Sequence, residues 1–325
     1  MPARIYSPTP AHLRTLAGAL GRGALVAIPT ETVYGLAANA LDAKACRAIF
    51  RTKGRPANDP LIVHVLDLAH AEELAEFNPA ARRLARRFWP GPLTIVLPKK
   101  ACVPGIVTSG GPTVAIRVPA HPLARRLLRL AGFPLAAPSA NRFGYISPTE
   151  AAHVVDGLGR KIKHVLDGGA CTVGVESTII DLTEPDRPRL LRPGAITDKV
   201  LTKFLGRPVR SVKRRKNPSA PLAAPGMMER HYSPRTPLLI KSPGRLLPAD
   251  TAGIFLRQPA GRTGANIYWL SERGAMTEIA RNLYRVLRAV DQAGWRQIHV
   301  EALPAESGGL ATALKDRLKR AAAKG

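Results

Sequence analysis

Cysteine is scarce in this chain, and its three cysteines lie far apart in the sequence. Cys46, Cys102 and Cys171 form no Cys-x-x-Cys pair, so neither a zinc knuckle nor a dithiol redox pair is expected. A sparse, odd number of cysteines is typical of a reducing compartment. No apolar run approaches the roughly 20 residues that span a bilayer, and the first residues show no signal-peptide pattern. The sequence therefore predicts a cytoplasmic protein with no membrane partner.

Acidic residues are also few. The 325 residues include 23 Asp and Glu against 49 Lys and Arg, which gives a formal charge of +26. Such an excess favours polyanionic partners, namely nucleic acid or nucleotide phosphates. A lineage rich in arginine and alanine would produce the same balance, so charge alone does not assign a function.

Two common nucleotide-binding motifs are missing from the sequence. There is no Gly-x-x-x-x-Gly-Lys-Ser/Thr loop and no Gly-x-Gly-x-x-Gly turn between a strand and a helix. A nucleotide would therefore have to be bound by cationic and hydroxyl side chains.

The richest stretch covers residues 29–64. It begins with PTETVYGLAANA, continues through a helical pattern to Lys53-Gly54-Arg55-Pro56, and ends in an apolar run that includes His64. The pattern predicts a strand, a polar turn, a helix, a cationic turn and a second strand. Their polar ends would meet at one edge of a sheet, where open α/β sheets bind ligands.

The whole chain is long enough for two domains. Strands and helices alternate up to about Gly206, with paired strands late in this part, which predicts an α/β domain with a twisted mixed sheet. Residues after Gly206 are basic and proline-rich, as in an extended linker. We predict a first domain at 1–207, a linker at 208–236 and a small α/β domain at 237–325. A helix is expected at 148–155, and no catalytic cluster is recognised in the last domain.

Several single residues could bind a ligand, but each also has a purely structural explanation. Lys53 and Arg55 could bind phosphate or be a solvated basic turn at a helix end. His64 could equally be a satisfied core histidine. Arg117 lies within an apolar run, where a charge is costly unless it is paired, so a carboxylate ligand is a reasonable partner.

Taken together, the motifs occur in a family-specific order. The stretch PTETVYGLAANA and the KGRP…PLIVH segment are followed by AIRVP at 115–119, PSAN at 138–141, ESTIID at 176–181, LRPG at 191–194 and HYSP at 231–234. In this order the chain resembles the YrdC-like family in its two-domain form. The resemblance implies a YrdC-like twisted sheet with a concave basic surface, followed by a small Rossmann-like domain.

The resemblance also implies an activity, which is the synthesis of L-threonylcarbamoyladenylate from L-threonine, bicarbonate or CO2, and ATP with Mg²⁺. The product serves tRNA modification, so tRNA would be a partner directly or through a downstream transferase complex. The residues implied for threonine are Thr32, Tyr34, His64, Arg117, Ala137 and Ser177. The residues implied for ATP are Lys53, Arg55, Asp59, Thr113, Ser139, Asn141, Ser147, Arg192, His231 and Tyr232. Lys53 and Arg55 would stabilise the charge of the reacting phosphates, and no protein metal site is expected.

Aspartate at position 59 departs from the asparagine that is frequent in the family. It keeps the acceptor oxygens but lacks the amide donor that an asparagine would offer to ATP. We also expect the linker to close over the site as a lid and to shield the adenylate from water.

Two other functions are compatible with parts of this evidence. A module that binds double-stranded RNA or tRNA without ATP turnover would suit the charge of +26. This function is disfavoured by Thr32, His64 and Arg117, because a groove that binds only phosphates does not need a threonine pocket. A carbamoyl-transfer maturation factor would contain cysteine-rich zinc motifs, which this sequence lacks.

Overall fold

The structure, a computed structural model, describes residues 2–212, 224, 231–244, 247–304 and 309–323. In this part of the chain the strands form two sheets, one of eleven strands and one of four. The first sheet contains β1 (Arg4–Tyr6), β2 (Val26–Ile28), β3 (Gly35–Asn39), β4 (Ile62–His64), β5 (Leu93–Pro98), β6 (Thr113–Arg117), β7 (Leu135–Ala136), β8 (His164–Leu166), β9 (Thr178–Asp181), β10 (Arg189–Arg192) and β11 (Arg210–Ser211). The second contains β12 (Leu238–Ile240), β13 (Thr251–Arg257), β14 (Ile267–Ser271) and β15 (Gln297–Val300).

Helices connect these strands. The described helices are α1 (Pro10–Gly21), α2 (Ala43–Lys53), α3 (Leu68–Glu72), α4 (Pro79–Phe88), α5 (Pro122–Ala131), α6 (Ala151–Leu158), α7 (Asp198–Leu205), α8 (Met276–Gln292) and α9 (Leu310–Ala321).

The sheet topology confirms the predicted fold class. The first sheet has the order β1-β8-β2-β3-β7-β4-β6-β5-β9-β10-β11 and mixes parallel with antiparallel pairs. The second has the order β12-β15-β13-β14, and all its pairs are parallel. Helix α8 connects β14 to β15, as in a Rossmann-like unit.

The stretch at residues 29–64 contains one strand more than the sequence predicted. Strand β3 pairs antiparallel with β2, so the polar turn connects two strands of a hairpin before α2 begins. Asp42 caps α2 by accepting hydrogen bonds from the backbone N–H groups of Lys44 and Ala45, at 2.8 and 3.1 Å. Gly54 ends the helix in the left-handed conformation, with φ at 66°. The chain then turns directly towards β4.

The helix predicted at 148–155 begins three residues later, at Ala151. Residues 147–149 make tertiary contacts instead. The carbonyl of Pro148 accepts a bond from the Tyr34 N–H at 2.9 Å, and the Ser147 hydroxyl bonds to Glu176. Helix α7, capped by Thr197, is not anticipated by the sequence analysis.

The two domains share a hydrophobic boundary. The core of the second domain is built on α8, α9 and the four-stranded sheet, and Val33, Ile146 and Val175 of the first domain belong to the same cluster. Arg288 of α8 is buried at the same boundary and donates a hydrogen bond to the carbonyl of Ile146. The second domain is therefore packed directly against loops of the first. Over the described ranges, no helix is long and apolar enough to cross a membrane.

Candidate functional site

A cavity lies at one edge of the first sheet, where several strand ends meet. His64 and Arg117 end the parallel strands β4 and β6 and are register partners. Arg192 ends β10, and Ser177 immediately precedes β9, which runs antiparallel to β10. Thr32 lies in the turn after β2. The edge predicted from the sequence is thus the edge where the structure gathers these side chains.

Ten of the predicted site residues line this cavity. They are Thr32, Arg55, His64, Arg117, Ala137, Ser139, Ser177, Arg192, His231 and Tyr232. Thr30, Val33, Gly35, Ile62, Pro138 and Glu176 complete the wall. At Gly35 an added Cβ would lie 3.1 Å from the Cβ of Ala137, so the close approach of β3 to the segment that follows β7 favours glycine.

Arg117 is the buried cation on the side of the cavity predicted for threonine. Its guanidinium forms an ion pair with Glu31 at 2.6 Å and donates to the Thr32 hydroxyl at 2.9 Å. Burial raises the pKa of Glu31, but the charge and hydrogen bond of Arg117 outweigh this effect and the net pKa is lowered. A protein carboxylate therefore pairs with Arg117, where the sequence suggested a ligand carboxylate alone.

His64 lies beside this pair and is 2% exposed. Burial and the nearby charge of Arg117 lower its pKa to about 3, so the imidazole is neutral near pH 7. Its Nδ1 atom has no hydrogen-bond partner within the described part of the chain. His64 lines the cavity, and a polar ligand bound there could supply the hydrogen bond that this buried atom lacks.

Arg55 and Lys53 lie on the side predicted for ATP. Arg55 pairs with the Asp59 carboxylate at 2.9 Å and donates to the carbonyls of Asp59 and Pro60. The Lys53 ammonium donates to the carbonyls of Ser139 and Asn141 at 2.5 and 2.6 Å. Burial and the charge of Arg55 lower the pKa of Lys53 well below its usual value. Bringing an anion to these buried cations would relieve that electrostatic cost.

Ser177 and Arg192 connect the two sides of the cavity. Arg192 donates to the Ser177 carbonyl and to its hydroxyl, each at 3.0 Å. The same hydroxyl lies 2.7 Å from the Thr94 hydroxyl on β5. These bonds fix the Ser177 side chain at the cavity wall.

His231 and Tyr232 enter the cavity from the predicted linker. The Tyr232 backbone is left-handed, with φ at 64°, which is unusual for a bulky residue. The Ser233 N–H bonds to the Gly144 carbonyl at 2.8 Å and holds this segment to the first domain. The Tyr232 hydroxyl and His231 Nδ1 are buried and have no partner among the residues that the structure describes. The rest of the predicted lid, residues 213–223 and 225–230, lies outside the described residues.

Six predicted site residues are not among those that line the cavity. Asp59 pairs with Arg55, and Lys53 donates hydrogen bonds to the loop 139–141. The Tyr34 hydroxyl donates to the Gly169 carbonyl at 2.8 Å, and Thr113 begins β6. The remaining two, Asn141 and Ser147, support neighbouring loops through the Asn141 amide and the Ser147 hydroxyl. Their assignment to threonine or ATP stays a prediction.

The sequence analysis assigned no role to several side chains of the site. Glu31 and Glu176 stand within its motifs, but nothing in the pattern showed that their carboxylates pair with buried arginines. Tyr284 and Arg317 come from α8 and α9, for which the sequence predicted helices but no functional residue. Both side chains contact Glu176, which lies more than 100 residues earlier in the sequence. The periodicity of a helix indicates only which of its residues are buried, not which distant residue they contact.

No cluster of His, Cys, Asp and Glu that could hold a metal ion is found in the described residues. The carboxylates of Glu31, Asp59 and Glu176 each pair with an arginine. This donor set does not fit a resident metal ion.

Two family models match the chain. The model of the Sua5, YciO and YrdC proteins, described as telomere recombination, matches residues 18–194. The model described as the threonylcarbamoyl-AMP synthase C-terminal domain matches residues 196–323.

Individual relatives agree with these matches. The threonylcarbamoyl-AMP synthase of Pyrococcus abyssi is 43% identical over 321 residues, which are 95% of this chain and 93% of that protein. The protein of the same name from Bacillus subtilis is 41% identical over 320 residues, which are 94% of this chain and 91% of that protein. A solved structure of P. abyssi Sua5 complexed with L-threonine superposes with a TM-score of 0.88 at 38% identity and covers 98% of both chains. This chain therefore belongs to the Sua5/YciO/YrdC family, in the form that includes the threonylcarbamoyl-AMP synthase C-terminal domain.

Proposed function

We propose that this protein synthesises L-threonylcarbamoyladenylate from L-threonine, bicarbonate or CO2, and the magnesium complex of ATP, and releases pyrophosphate. The observation that supports this best is that one cavity at the strand ends contains both groups of predicted residues. It places Arg117, Thr32 and His64 next to Arg55 and Arg192. The first group offers recognition of a small amino acid, and the second offers charge for phosphates.

Unpartnered polar atoms support the same proposal. His64 Nδ1, the Tyr232 hydroxyl, His231 Nδ1 and the side-chain amide oxygen Oδ1 of Asn141 are all buried without a partner in the described ranges. All four residues were predicted from the sequence to bind substrate. Leaving such atoms unsatisfied costs about 1–3 kcal/mol each, so a bound polar ligand would recover part of this energy.

The first chemical step takes place on threonine. Its neutral amine attacks the carbon of CO2, an N–C bond forms, and the nitrogen releases a proton to solvent to give a carbamate. The neutral His64 can accept a hydrogen bond and orient the substrate. Arg117 can bind the threonine carboxylate in addition to Glu31, because a guanidinium offers five N–H donors.

The second step is adenylyl transfer. A carbamate oxygen attacks the α-phosphorus of ATP, the bond from that phosphorus to the bridging oxygen breaks, and pyrophosphate leaves. Such transfers depend mainly on positioning and charge neutralisation, for which Lys53, Arg55 and Arg192 are available. The reaction class is therefore nucleotidyl transfer without a covalent enzyme intermediate. The product would serve tRNA modification, with tRNA reached directly or through a transferase complex.

Pyrophosphate release tests the proposal directly. The purified protein is incubated with ATP, Mg²⁺ and bicarbonate, with and without L-threonine, and Arg55→Ala serves as the variant. We expect threonine-dependent pyrophosphate that is lost in Arg55→Ala. Pyrophosphate release that does not depend on threonine would contradict the proposal.

RNA binding without ATP turnover remains the second candidate, on the strength of the charge of +26. It predicts tight, salt-dependent binding of double-stranded RNA or tRNA by a protein that releases no pyrophosphate under any of these conditions.

A further inference from the structure

Glu176 lines the cavity, and residues of the C-terminal domain donate hydrogen bonds to its carboxylate. It is 5% exposed. One carboxylate oxygen accepts a bond from the Ser147 hydroxyl at 2.6 Å. The other accepts from the Tyr284 hydroxyl at 2.9 Å and from Arg317 Nε at 2.8 Å. Two of its three partners therefore come from helices α8 and α9.

Arg317 and Tyr284 also contact the linker residue Tyr232. The Arg317 guanidinium lies 5.1 Å from the centre of the Tyr232 ring, a distance at which a cation is attracted to an aromatic ring. The Tyr284 ring stacks on the Tyr232 ring at a centroid distance of 5.7 Å. The same two side chains thus touch a wall residue and a linker residue of the cavity.

A third contact connects Arg317 to the loop after β10. Its terminal N–H group donates to the carbonyl of Pro193 at 3.0 Å. Pro193 directly follows Arg192, which lines the cavity. Arg317 is 1% exposed and joins three separate segments of the first domain and the linker.

The charge balance shows why this contact is needed. Burial raises the pKa of Glu176, but Arg317, Arg192 and the hydrogen bond from Ser147 outweigh it and lower the net pKa. The buried carboxylate is therefore ionised and depends on a cation from the second domain. Without Arg317 it would protonate or move, and the Ser147 hydroxyl that bonds to it would lose its fixed position.

We propose that Tyr284 and Arg317 of the C-terminal domain are positioning residues for ATP, which act through Glu176 and Tyr232. Neither side chain lines the cavity, so neither is expected to touch the reacting atoms. The C-terminal domain would then complete the nucleotide side of a site that lies in the first domain. This inference rests on the proposed function.

Steady-state kinetics of full-length variants test the inference. Tyr284→Phe removes one hydroxyl and keeps the stacked ring, so we expect the KM for ATP to rise about 2- to 10-fold. Arg317→Met removes a charged hydrogen-bond donor, so a rise of at least about 10-fold is expected. Arg317→Lys keeps the charge and should recover part of the loss. The KM for threonine should change much less than the KM for ATP.

A double-mutant cycle tests whether Arg317 acts through Glu176. The single variants Arg317→Met and Glu176→Gln are compared with the double variant. If both belong to one unit, the double variant is little worse than the more affected single variant. If the two effects on the KM for ATP simply multiply, the inference is wrong.

Matched controls separate positioning from loss of stability. Lys319→Met removes an exposed cation from the same helix. Tyr268→Phe removes a hydroxyl that bonds to Trp295 elsewhere in the second domain. Both should leave the KM for ATP unchanged.

The wild-type protein distinguishes the two ways of failing. If it releases no threonine-dependent pyrophosphate, the proposed function fails. If it does, and Tyr284→Phe and Arg317→Met lower only thermal stability while the KM for ATP stays at the wild-type value, the positioning role is refuted.

Discussion

Replacement of Arg117 by Met should separate the stability of this protein from its threonine binding. Arg117 and Glu31 are 3% and 7% exposed and form an ion pair at 2.6 Å. Removing one partner of a buried pair leaves an uncompensated charge, which costs about 3–5 kcal/mol. We expect Arg117→Met to lower the free energy of unfolding by this amount at pH 7.

The loss should depend on pH in a defined direction. In the wild-type protein the pKa of Glu31 is lowered, so its contribution to stability is present above the unfolded pKa and is lost as the pH falls through the folded pKa. In Arg117→Met, burial acts without the arginine and raises the pKa of Glu31 above its unfolded value. The variant should therefore be least destabilised at acidic pH and lose stability as the pH rises.

The double variant Glu31→Gln/Arg117→Met isolates the binding role. It removes both charges, and replacing a whole buried pair is often nearly neutral for stability, so most of the lost unfolding free energy should return. Threonine binding should not return, because the carboxylate of the substrate still lacks its cation. A charged contact of this kind is worth about 2–5 kcal/mol, which corresponds to an affinity at least about 30-fold weaker.

Urea unfolding at pH 5 and pH 7.5 measures the first effect, and titration calorimetry with L-threonine measures the second. Double-variant protein that binds threonine like the wild type would refute the assignment of Arg117 to the substrate. Destabilisation of Arg117→Met that is equal at both pH values would refute the electrostatic reasoning.

Three further predictions concern other parts of the site. Asp59→Asn removes the carboxylate that pairs with Arg55 at 2.9 Å, so the KM for ATP should fall in steady-state assays; a higher KM would instead fit a direct contact of Asp59 with ATP. The pKa of His64 is lowered to about 3, so the threonine affinity measured by calorimetry should show no step near pH 6.5, and an inflection of the affinity at that pH would contradict the low pKa. Burial of a neutral His64 also makes the free energy of unfolding decrease gradually as the pH falls below 6.5. Gly174→Ala would place a Cβ 2.4 Å from the backbone of α8, at a residue whose φ is 79°. It should therefore lower the unfolding free energy by about 1–3 kcal/mol and raise the KM for ATP. The control Gly157→Ala meets nothing within 4 Å and should change neither quantity.

Much of the first domain could be predicted from local signals. Asp42 is the N-cap of α2 and Gly54 ends the helix, and these two residues position the turn that contains Arg55. The apolar runs that contain His64 and Arg117 predicted β4 and β6, and the parallel pairing of these strands places the two residues side by side. Strand β3 was missed because its residues, GLAAN, lack the β-branched side chains on which strand prediction depends.

The sequence by itself determined the fold class, the family-specific motifs and the edge of the sheet where the site forms, because these follow from short-range patterns of burial and turn chemistry. Only the tertiary structure decided which charges pair. Arg117 with Glu31 and Arg317 with Glu176 are partners because the folded chain buries them together, and no periodicity in the sequence encodes such a contact. For the same reason, the structure alone revealed that α8 and α9 of the second domain contact the cavity wall of the first.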